Sequence, residues 1–434
     1  MLRIAFFEDS MVENFSPIAI LRPVFELRCG HFSLRERVLR SLDVAEWGAC
    51  VRPWMAESYR EEHPESHVND ERWLKQGLTL LINGRWLFNP HQIVDADRDS
   101  VGVCGETIAW IVLDPDEVAV LDSEDWEEGL ARLARRRRPV AVEGEMLSYP
   151  WDLVHHNPQR LTEDFFLRRR GPSLQIPQHQ VAILGPIEHV QIDPLAEIDP
   201  FVVIDARSGP VWIEAGAKVL AFTRLEGPCY IGRDTQLFRA LVREGTSIGP
   251  VCRVGGEIEE SIFQGYSNKY HDGFLGHSYV GSWVNLGALT SNSDLKNDYS
   301  AVKVPLSGIS VATGSTKVGS FIGDHTKTAL CSLMNTGTAV GVMSMLLPGG
   351  ELLPKHIPSF SRIWHGTLEG LTEEGLNAGL AAARIAMSRR NQELTPAAER
   401  LLRHAYQETT TERTRALQRA ASLNAPNDPA KTGP

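Results

Sequence analysis

The stretch HDGFLGHSYVGSWVNLGALTSNSDLKND, residues 271 to 298, contains two histidines six residues apart and then becomes polar. A histidine has an ordinary pKa of about 6.5, which suits it to take a proton from a substrate near neutral pH. His271 and His277 are therefore candidate general bases, although a surface histidine without chemical function is the common alternative. Lysine and asparagine donors nearby can hold a phosphate or sugar hydroxyls. The polar neighbours are Asn268, Lys269, Asn285, Thr290, Asn292, Asp294 and Lys296.

A six-residue repeat surrounds this stretch. Such a period fits neither a helix nor a flat strand, but it is what a parallel β-helix requires, because each hexad supplies one short strand, one corner and one inward apolar residue. Three hexads make one coil, so Ile322 and Val340, eighteen residues apart, should stack on each other. The repeat comprises Ile192, Ile198, Ile204; Ile213, Val219, Leu225, Ile231, Leu237; Ile248, Val254; Phe274, Val280, Leu286; and Ile322, Met334, Val340, Leu346.

The phase of the repeat predicts where the two histidines point. His271 and His277 each precede an inward residue, Phe274 or Val280, by three positions, so both should project outward near corners. They would lie a third of a turn apart and would not meet on one metal ion within a subunit. The repeat breaks at residues 205 to 212, 238 to 247 and 287 to 317, and solenoid insertions usually lie on the functional face.

The first 170 residues follow a different pattern. The apolar runs RIAFFE, LTLLINGRWLF and TIAWIVLD alternate with helical segments such as SLRERVLRSLD. This alternation predicts a mostly parallel sheet that is covered on both faces. Ligands of such sheets bind at the carboxyl ends of the strands.

The chain after about residue 371 is rich in Ala, Leu, Glu and Arg. TPAAERLLRHAYQ predicts a helix with Thr395 at the N-cap and Pro396 at its first position. These helices should cap the β-helix or meet a neighbouring subunit. The final residues, NAPNDPAKTGP, should be mobile.

Length and composition limit the class of protein. A chain of 434 residues with 42% hydrophobic and 23% charged residues should fold into two or more domains. A net charge of −11 argues against general nucleic-acid binding, which depends on basic patches. Six cysteines without a CxxC pair suggest reduced thiols, and no apolar run reaches the roughly 18 residues of a membrane span. We therefore expect a soluble cytoplasmic protein that binds neither nucleic acid nor membrane.

Three motifs carry a resemblance to a known family: LRPVFELRCGHFSLRERV at 21 to 38, YSNKYHDGFLGHSYVGSWVNLGALTSNSDLKNDY at 266 to 299, and VGSFIGDHTKTALCSLMNTGTAVG at 318 to 341. They resemble the bifunctional N-acetylglucosamine-1-phosphate uridylyltransferase/glucosamine-1-phosphate N-acetyltransferases, and more closely a divergent bacterial branch with an atypical sugar-nucleotidyltransferase domain. The resemblance implies an α/β nucleotidyltransferase-like domain at 1–175 and a left-handed parallel β-helix acyltransferase domain at 180–365. A C-terminal helical segment with a mobile tail would occupy 366–434.

The same resemblance assigns roles on the β-helix. His271, with Gly276 and Gly281, matches the catalytic histidine motif, and Phe274 stands where the family has a tyrosine. His271 would act as the base that frees the amine of glucosamine-1-phosphate to attack acetyl-CoA, the acyl donor. Acetyl-CoA would bind between subunits of a homotrimer. The family's contacts to the sugar phosphate fall on Asn292 and Lys296. Asn285 begins the matching stretch Asn285 to Ala288, and Asn285 and Lys269 are further candidate substrate contacts.

The resemblance is looser in the N-terminal half. The segment EDSMVENFSPIAIL has no glycine where ordinary nucleotidyltransferases have a glycine-rich phosphate loop. Arg22 and Arg28 could neutralise a nucleoside triphosphate or pyrophosphate, although Arg22 could instead pair with Glu26. After LLIN, NGRWL lacks the expected Mg²⁺-binding aspartate. Asp152 and Asn157 are the candidate Mg²⁺ ligands, and a structural linker is the alternative for their segment.

Two other functions remain open from the sequence. The chain could be a sugar-1-phosphate nucleotidyltransferase whose β-helix only oligomerises it. It could also be a non-catalytic β-helix scaffold that binds a partner through its C-terminal helices. The combination of His271 with Lys296 argues against the first of these two alternatives.

Overall fold

The computed structural model describes residues 2–42, 44–89, 97–121, 126–168, 171, 173–174 and 180–424. All but the first residue of the expected mobile tail lies outside these residues. Within them, no helix combines the length and hydropathy of a membrane span.

The N-terminal part is built on a seven-stranded sheet. The strand Thr107–Leu113 is antiparallel to both neighbours and all other pairs are parallel, so the sheet is mixed but mostly parallel, as predicted. The strand order across the sheet is Arg138–Ala141, Ser100–Cys104, Thr107–Leu113, Thr79–Asn83, Leu2–Phe7, Val44–Cys50 and His67–Val68. Two short antiparallel pairs stand beside it, Arg28–Cys29 with Phe32–Ser33 and Trp86–Leu87 with Glu145–Met146.

Alternating residues of the central strands enter two separate cores. Ala5 and Phe7 pack on one side with Leu130 and Leu133 of a helix, whereas Phe6 faces the other side. Both faces are therefore covered, as the apolar runs predicted. The α-helices of this part are Leu34–Ser41, Ala56–Glu62, Glu71–Leu74, Trp126–Ala134 and Pro150–Leu167. Short 3₁₀ helices occur at Ser10–Phe15, Val24–Glu26, Pro53–Met55 and Pro115–Val120, and a fifth follows at Ile187–His189.

Residues 182 to 364 form a column of short parallel strands, which is the predicted β-helix of hexapeptide type. We number its three faces. Face 1 contains Val190–Ile192, Val211–Ile213, Cys229–Ile231, Thr246–Ile248, Ile262–Gly265, Tyr279–Ser282, Phe321–Ile322, Ala339–Val340 and His356–Ile357. Face 2 contains Glu197–Ile198, Lys218–Val219, the starts of Gln236–Val242 and Arg253–Glu259, Asn268–Lys269, Lys327–Thr328, Met345–Leu347 and Ser361–Trp364. Face 3 contains Ala182–Leu184, Val203–Asp205, Arg224–Glu226, the ends of the same two long strands, Phe274–Gly276, Ser291–Asn292 and Leu333–Met334.

The inward residues agree with the hexad prediction except at one place. Ile322 pairs with Val340 in the coil above, and both are fully buried. The prediction that Phe274 points inward is wrong, because Leu275 occupies the core and Phe274 is only partly buried. Five rather than six residues separate Leu275 from the next inward residue, Val280, so the phase slips by one across this corner.

The three faces have different surroundings. Outward residues of face 1, among them Trp212, Ile262 and Tyr279, pack against the N-terminal part of the chain. Face 3 instead carries a row of ion pairs, which includes Arg224 with Glu226 and Arg243 with Glu259. The insertion between faces forms an antiparallel hairpin, Lys303–Leu306 with Ile309–Ala312, and a second hairpin, Ser361–Trp364 with Thr367–Gly370, ends the column.

The C-terminal helices Glu373–Ser388, Pro396–Glu408 and Thr410–Asn424 lie against the side of the column. Their apolar residues pack on Met343 and Phe360, which occupy the corner between faces 1 and 2. Thr395 caps the middle helix by accepting a hydrogen bond from the Ala398 N–H, and Pro396 is its first residue, as predicted.

Candidate active site

His271 lies at the corner between faces 2 and 3 and its side chain is exposed. The nearest ring is that of Tyr270, 5.9 Å away between centroids and nearly perpendicular. Among the described residues, no hydrogen bond or ion pair involves the imidazole of His271. The ring is therefore accessible to a substrate, but no carboxylate orients it.

Lys269 occupies a different place from the one the sequence suggested. It pairs with inward Val254 of the neighbouring coil, so its side chain enters the column and is 1% exposed. Its Nζ donates hydrogen bonds to the carbonyls of Gly255 (3.0 Å), His271 (3.2 Å) and Gly273 (2.7 Å). Burial lowers the pKa of Lys269 to about 8. The prediction that Lys269 contacts the substrate is therefore wrong. Its ammonium group points into the column and binds the backbone carbonyls of the corner.

The three other predicted substrate contacts on the β-helix, Asn285, Asn292 and Lys296, are not brought together. Asn285 lies on face 2, where its Oδ1 accepts from Asn268 at 2.6 Å. Asn292 is buried on face 3 and is bound to the backbone N–H and carbonyl of Gly276. Lys296 donates to the Ser300 hydroxyl and the Ala301 carbonyl within its own loop. Asn285 lines a cleft that is described below.

The ring of His277, unlike that of His271, is bound by two carboxylates. It is 4% exposed, with Nδ1 2.8 Å from Asp294 and Nε2 3.4 Å from Glu260. Burial alone would lower the pKa of His277, but the hydrogen bonds to Asp294 and Glu260 outweigh it and raise the pKa to about 9. His277 is therefore a fixed cation at neutral pH and cannot serve as a base.

Glu259, Glu260 and His277 could in principle share a metal ion, because their ligand atoms lie within 4.8 Å of one another. Competing pairs occupy these atoms, however. Glu259 binds Arg243 and Lys317, while His277 binds Asp294. The cluster is best described as a network of ion pairs.

A basic cleft of about 660 Å³ opens between face 2 and the end of the helix Glu373–Ser388. We use this name for the cavity lined by Arg253, Lys327, Arg389 and Arg390 together with Gln236, Asn268, Tyr270, Val284, Asn285, Ala382, Ile385 and Ala386. Tyr266 and Trp283 also line it, and their rings stack at 4.5 Å along the corner between faces 1 and 2. Sequence reasoning identified Asn285 but missed the four cations, which lie up to 137 residues apart (390 − 253).

A second cavity, of about 550 Å³, adjoins the basic cleft and shares Tyr266 and Trp283 with it. Arg22 and Arg28 line this cavity, rather than the carboxyl ends of the sheet. Arg22 forms an ion pair with Asp324 of the column and a hydrogen bond to Ser282. The alternative prediction, that Arg22 pairs with Glu26, is therefore wrong. Arg28 donates through its guanidinium to the carbonyl of His31.

The predicted ligand edge of the N-terminal sheet does contain a cleft. It has a volume of about 520 Å³, and Glu8 and Asp9, at the end of the first strand, line it together with Arg52. Both carboxylates are already paired. Glu8 binds Arg52 at 3.1 Å, and Asp9 binds Arg85 at 2.6 Å and the Asn83 amide at 2.9 Å.

Asp152 and Asn157 do not fit a magnesium site. The carboxylate of Asp152 accepts from the N–H groups of Ser148 and Tyr149, which caps the helix Pro150–Leu167. The Asn157 Oδ1 accepts from the Gly30 N–H at 2.6 Å and the Ser247 hydroxyl at 3.0 Å. Mg²⁺ requires oxygens that are free to coordinate it, and these donors already occupy Oδ2 of Asp152 and Oδ1 of Asn157.

Residues 4–172 match the model of a family described as sugar nucleotidyl transferase. This region of the chain is similar to sugar nucleotidyltransferase domains. The match covers the sheet, its flanking helices and the cleft at the carboxyl ends of the strands.

Curated relatives carry names for two activities. The chain is 32% identical over 93 residues to a bifunctional sugar-1-phosphate nucleotidylyltransferase/acetyltransferase of Sulfurisphaera tokodaii, which covers 21% of this chain and 23% of that protein. It is 23% identical over 266 residues to the bifunctional protein GlmU of Acaryochloris marina, which covers 56% of this chain and 49% of the relative. The chain thus spans half or less of the length of each. A solved Arabidopsis UDP-N-acetylglucosamine acyltransferase matches 60% of this chain and 98% of its own at 14% identity, with a TM-score of 0.22.

Proposed function

We propose that the chain is a bifunctional enzyme of sugar-nucleotide synthesis. The N-terminal domain would transfer a uridylyl group from UTP to N-acetylglucosamine-1-phosphate, and the column would transfer an acetyl group from acetyl-CoA to glucosamine-1-phosphate. The observation that carries the proposal is the cleft at the carboxyl ends of the strands, inside the region that matches sugar nucleotidyltransferases. The names of the relatives support the second activity.

In the acetyl transfer, the sugar amine attacks the thioester carbonyl carbon. A C–N bond forms and the C–S bond breaks, and the amine proton passes to His271 and then to the departing thiolate. Exposure of the His271 ring supports this role, because the base must reach the substrate. Of the residues predicted to bind the sugar substrate, Asn285 and Lys296 remain candidates. Arg22 and Arg28 remain candidates for a phosphate group in the second cavity.

The proposal extends to assembly and location. Columns would associate as a homotrimer, with acetyl-CoA bound between subunits. Its small-molecule substrates would be a sugar-1-phosphate, a nucleoside triphosphate and an acyl-CoA. Six free cysteines fit a reducing cytoplasm.

The test of acetyl transfer is the release of free thiol from acetyl-CoA in the presence of glucosamine-1-phosphate. We expect His271→Ala to lower the rate by at least about 100-fold, the usual contribution of a general base. His365→Ala removes another exposed histidine of the column and should keep the full rate. Equal rates for His271→Ala and the wild type would remove His271 from the mechanism.

A nucleotidyltransferase with a purely structural column is the second candidate. It is favoured by Lys269 and Asn292, whose side chains bind the backbone rather than a cleft. Assaying pyrophosphate released from UTP and N-acetylglucosamine-1-phosphate separates the two candidates. Pyrophosphate release without any thiol release would support the second.

A further inference from the structure

The second cavity lies where the three parts of the chain meet, and acidic side chains outnumber basic ones along its wall. Its lining comes from the N-terminal domain, from the corner between faces 1 and 2 of the column, and from the C-terminal helices. Arg22 and Arg28 are its two arginines, and the surplus of carboxylates favours a ligand with positive charge. The carboxylates are Glu26, Glu61, Glu62, Asp324 and Glu393.

Only part of this negative charge is neutralised by the protein. Asp324 pairs with Arg22, and Glu26 pairs with Arg35. Within the described part of the chain, the other three carboxylates form no salt bridge. A cation that entered the cavity would therefore meet acceptors that are free to bind it. These three residues are Glu61, Glu62 and Glu393.

The position of Glu62 is unfavourable for a negative charge. It is the last residue of the helix Ala56–Glu62, where the macrodipole is negative. Burial raises the pKa of Glu62 to about 7, and repulsion by neighbouring carboxylates adds to the shift. Arg22 opposes the shift, but its guanidinium is already paired with Asp324. A cation beside Glu62 would favour its ionised form.

His325 supplies an independent observation that points to a ligand. Its side chain lines the cavity and is 6% exposed, yet its Nδ1 has no hydrogen-bond partner among the described residues. Burial lowers the pKa of His325 to about 3, so the ring is neutral at pH 7. In a neutral ring Nδ1 can be the unprotonated nitrogen, which accepts a hydrogen bond from an ammonium group. Such a donor would satisfy a buried polar atom that otherwise costs free energy.

The remaining wall is apolar. Trp283 stacks on Tyr266 at 4.5 Å and lies nearly parallel to His325 at 6.4 Å, on the next coil. Because neighbouring rings cover both of its faces, the indole presents its edge and cannot hold a cation over its π surface. Leu394 and Leu401 of the C-terminal segment also line the cavity. This wall suits the methylene groups of a ligand.

We propose that the second cavity binds an aliphatic polyamine, which is a chain of methylene groups with two or more ammonium groups. The ammonium groups would contact Glu62, Glu393 and Nδ1 of His325, and the methylene groups would pack on the apolar wall. A volume of about 550 Å³ accommodates such a chain together with water. Since the three contacts belong to the domain, the C-terminal segment and the column, the ligand would fasten these parts to one another. The proposal depends on neither proposed activity.

Titration calorimetry on the full chain tests the class of ligand. The probes are 1,4-diaminobutane, spermidine, 1-aminobutane and inorganic phosphate. We expect saturable binding of the first two, and binding of 1-aminobutane that is at least about tenfold weaker, because it lacks the second ammonium group. Phosphate tests the opposite charge, since Arg22 and Arg28 also line the cavity, and it should not displace 1,4-diaminobutane.

Glu62→Gln and Glu393→Gln test the two carboxylates. Glu393 is exposed, so its replacement should leave the fold intact. Loss of a charge-assisted hydrogen bond should weaken the binding of 1,4-diaminobutane by about tenfold in each variant. Glu374→Gln is the matched control, because Glu374 is an exposed glutamate of the first C-terminal helix that does not line the cavity. It should bind as the wild type does.

His325→Phe keeps a ring beside Trp283 but removes the acceptor. We expect 1,4-diaminobutane to raise the melting temperature of the wild type by more than that of this variant, since the rise depends on affinity. His365→Phe, at an exposed histidine of the column, should respond as the wild type does. Absence of saturable amine binding, displacement by phosphate, or wild-type affinity in both glutamate variants would overturn the proposal. Equal affinities for 1-aminobutane and 1,4-diaminobutane would refute the polyamine.

Discussion

His277 illustrates how strongly a few neighbours decide the chemistry of a residue. It resembles His271 in type and in hexad position, but Asp294 and Glu260 surround its ring. A buried imidazolium between two carboxylates stabilises the loop that carries Asp294 against the coil that carries Glu260. The ring of His271 is open to a substrate, whereas both ring nitrogens of His277 are occupied by carboxylates.

Replacement of Asp294 by Asn should therefore destabilise the protein in a pH-dependent manner. The folded pKa of His277, about 9, lies above the ordinary value, so the pairing stabilises the fold fully below about pH 6.5 and is lost as the pH rises through about 9. We expect Asp294→Asn to lower the free energy of unfolding by about 2 kcal/mol at pH 6 and by much less at pH 10. Urea denaturation at both pH values measures this difference.

Asp298→Asn is the control for that measurement. Asp298 lies in the same loop and hydrogen-bonds to Ser300, two residues away, so its replacement should have the same small effect at both pH values. An equal loss of stability for Asp294→Asn at pH 6 and pH 10 would contradict the assigned charge of His277.

Residue types alone suggested some of the site and misplaced the rest. His271 could be recognised because its hexad position requires an outward side chain. The inward position of Lys269 could not be recognised. Burying a lysine costs free energy unless backbone carbonyls accept its hydrogen bonds, and the corner that supplies those carbonyls is a tertiary feature. The shift from Phe274 to Leu275 likewise depends on a corner of irregular length.

At the scale of elements, the C-terminal helices do more than end the column. The helix Pro396–Glu408 inserts Leu402 and Ala405 into a core with Phe360 of the column. On its other side, Arg400 pairs with Glu57 of the N-terminal domain, and His404 stacks on Trp54 at 4.9 Å. One helix therefore joins both parts of the chain.

Truncation of the buried contact should cost far more than loss of the exposed one. Leu402 is 2% exposed, so Leu402→Ala leaves a cavity and should lower the free energy of unfolding by about 3 kcal/mol. Arg400→Ala breaks an exposed ion pair and should change stability little. Thermal denaturation of the two variants measures both losses of stability. Comparable losses would mean that ion pairs, rather than apolar packing, hold this helix.

At the scale of the whole molecule, the N-terminal domain and face 1 meet through a polar junction. Asn157 is fully buried there and joins three segments, since it accepts from Gly30 and Ser247 and donates to the Gly245 carbonyl at 2.7 Å. The sequence predicted the sheet and the column separately, because each has its own period. Their contact depends on residues more than 80 positions apart, such as Asn157 and Gly245, and no local pattern encodes that pairing.

Asn157→Ala tests whether this residue serves the junction or a metal. Loss of three buried hydrogen bonds should lower the free energy of unfolding by about 3 kcal/mol. The loss should be the same in Mg²⁺ and in a chelator, as measured by denaturant titration. A loss seen only in Mg²⁺ would restore Asn157 as a metal ligand. Asn14→Ala, at a partly buried asparagine of the same domain, should be neutral in both conditions.

The coverage of face 1 limits how copies of the chain can associate along their columns. The domain occupies that face and the C-terminal helices occupy part of the next, whereas the row of alternating arginines and glutamates on face 3 lies outside both contacts. Two columns that met along this row would form ion pairs with each other and would bury little apolar surface there. The strength of this contact would consequently fall steeply with added salt, and a cell could tune it through ionic conditions alone.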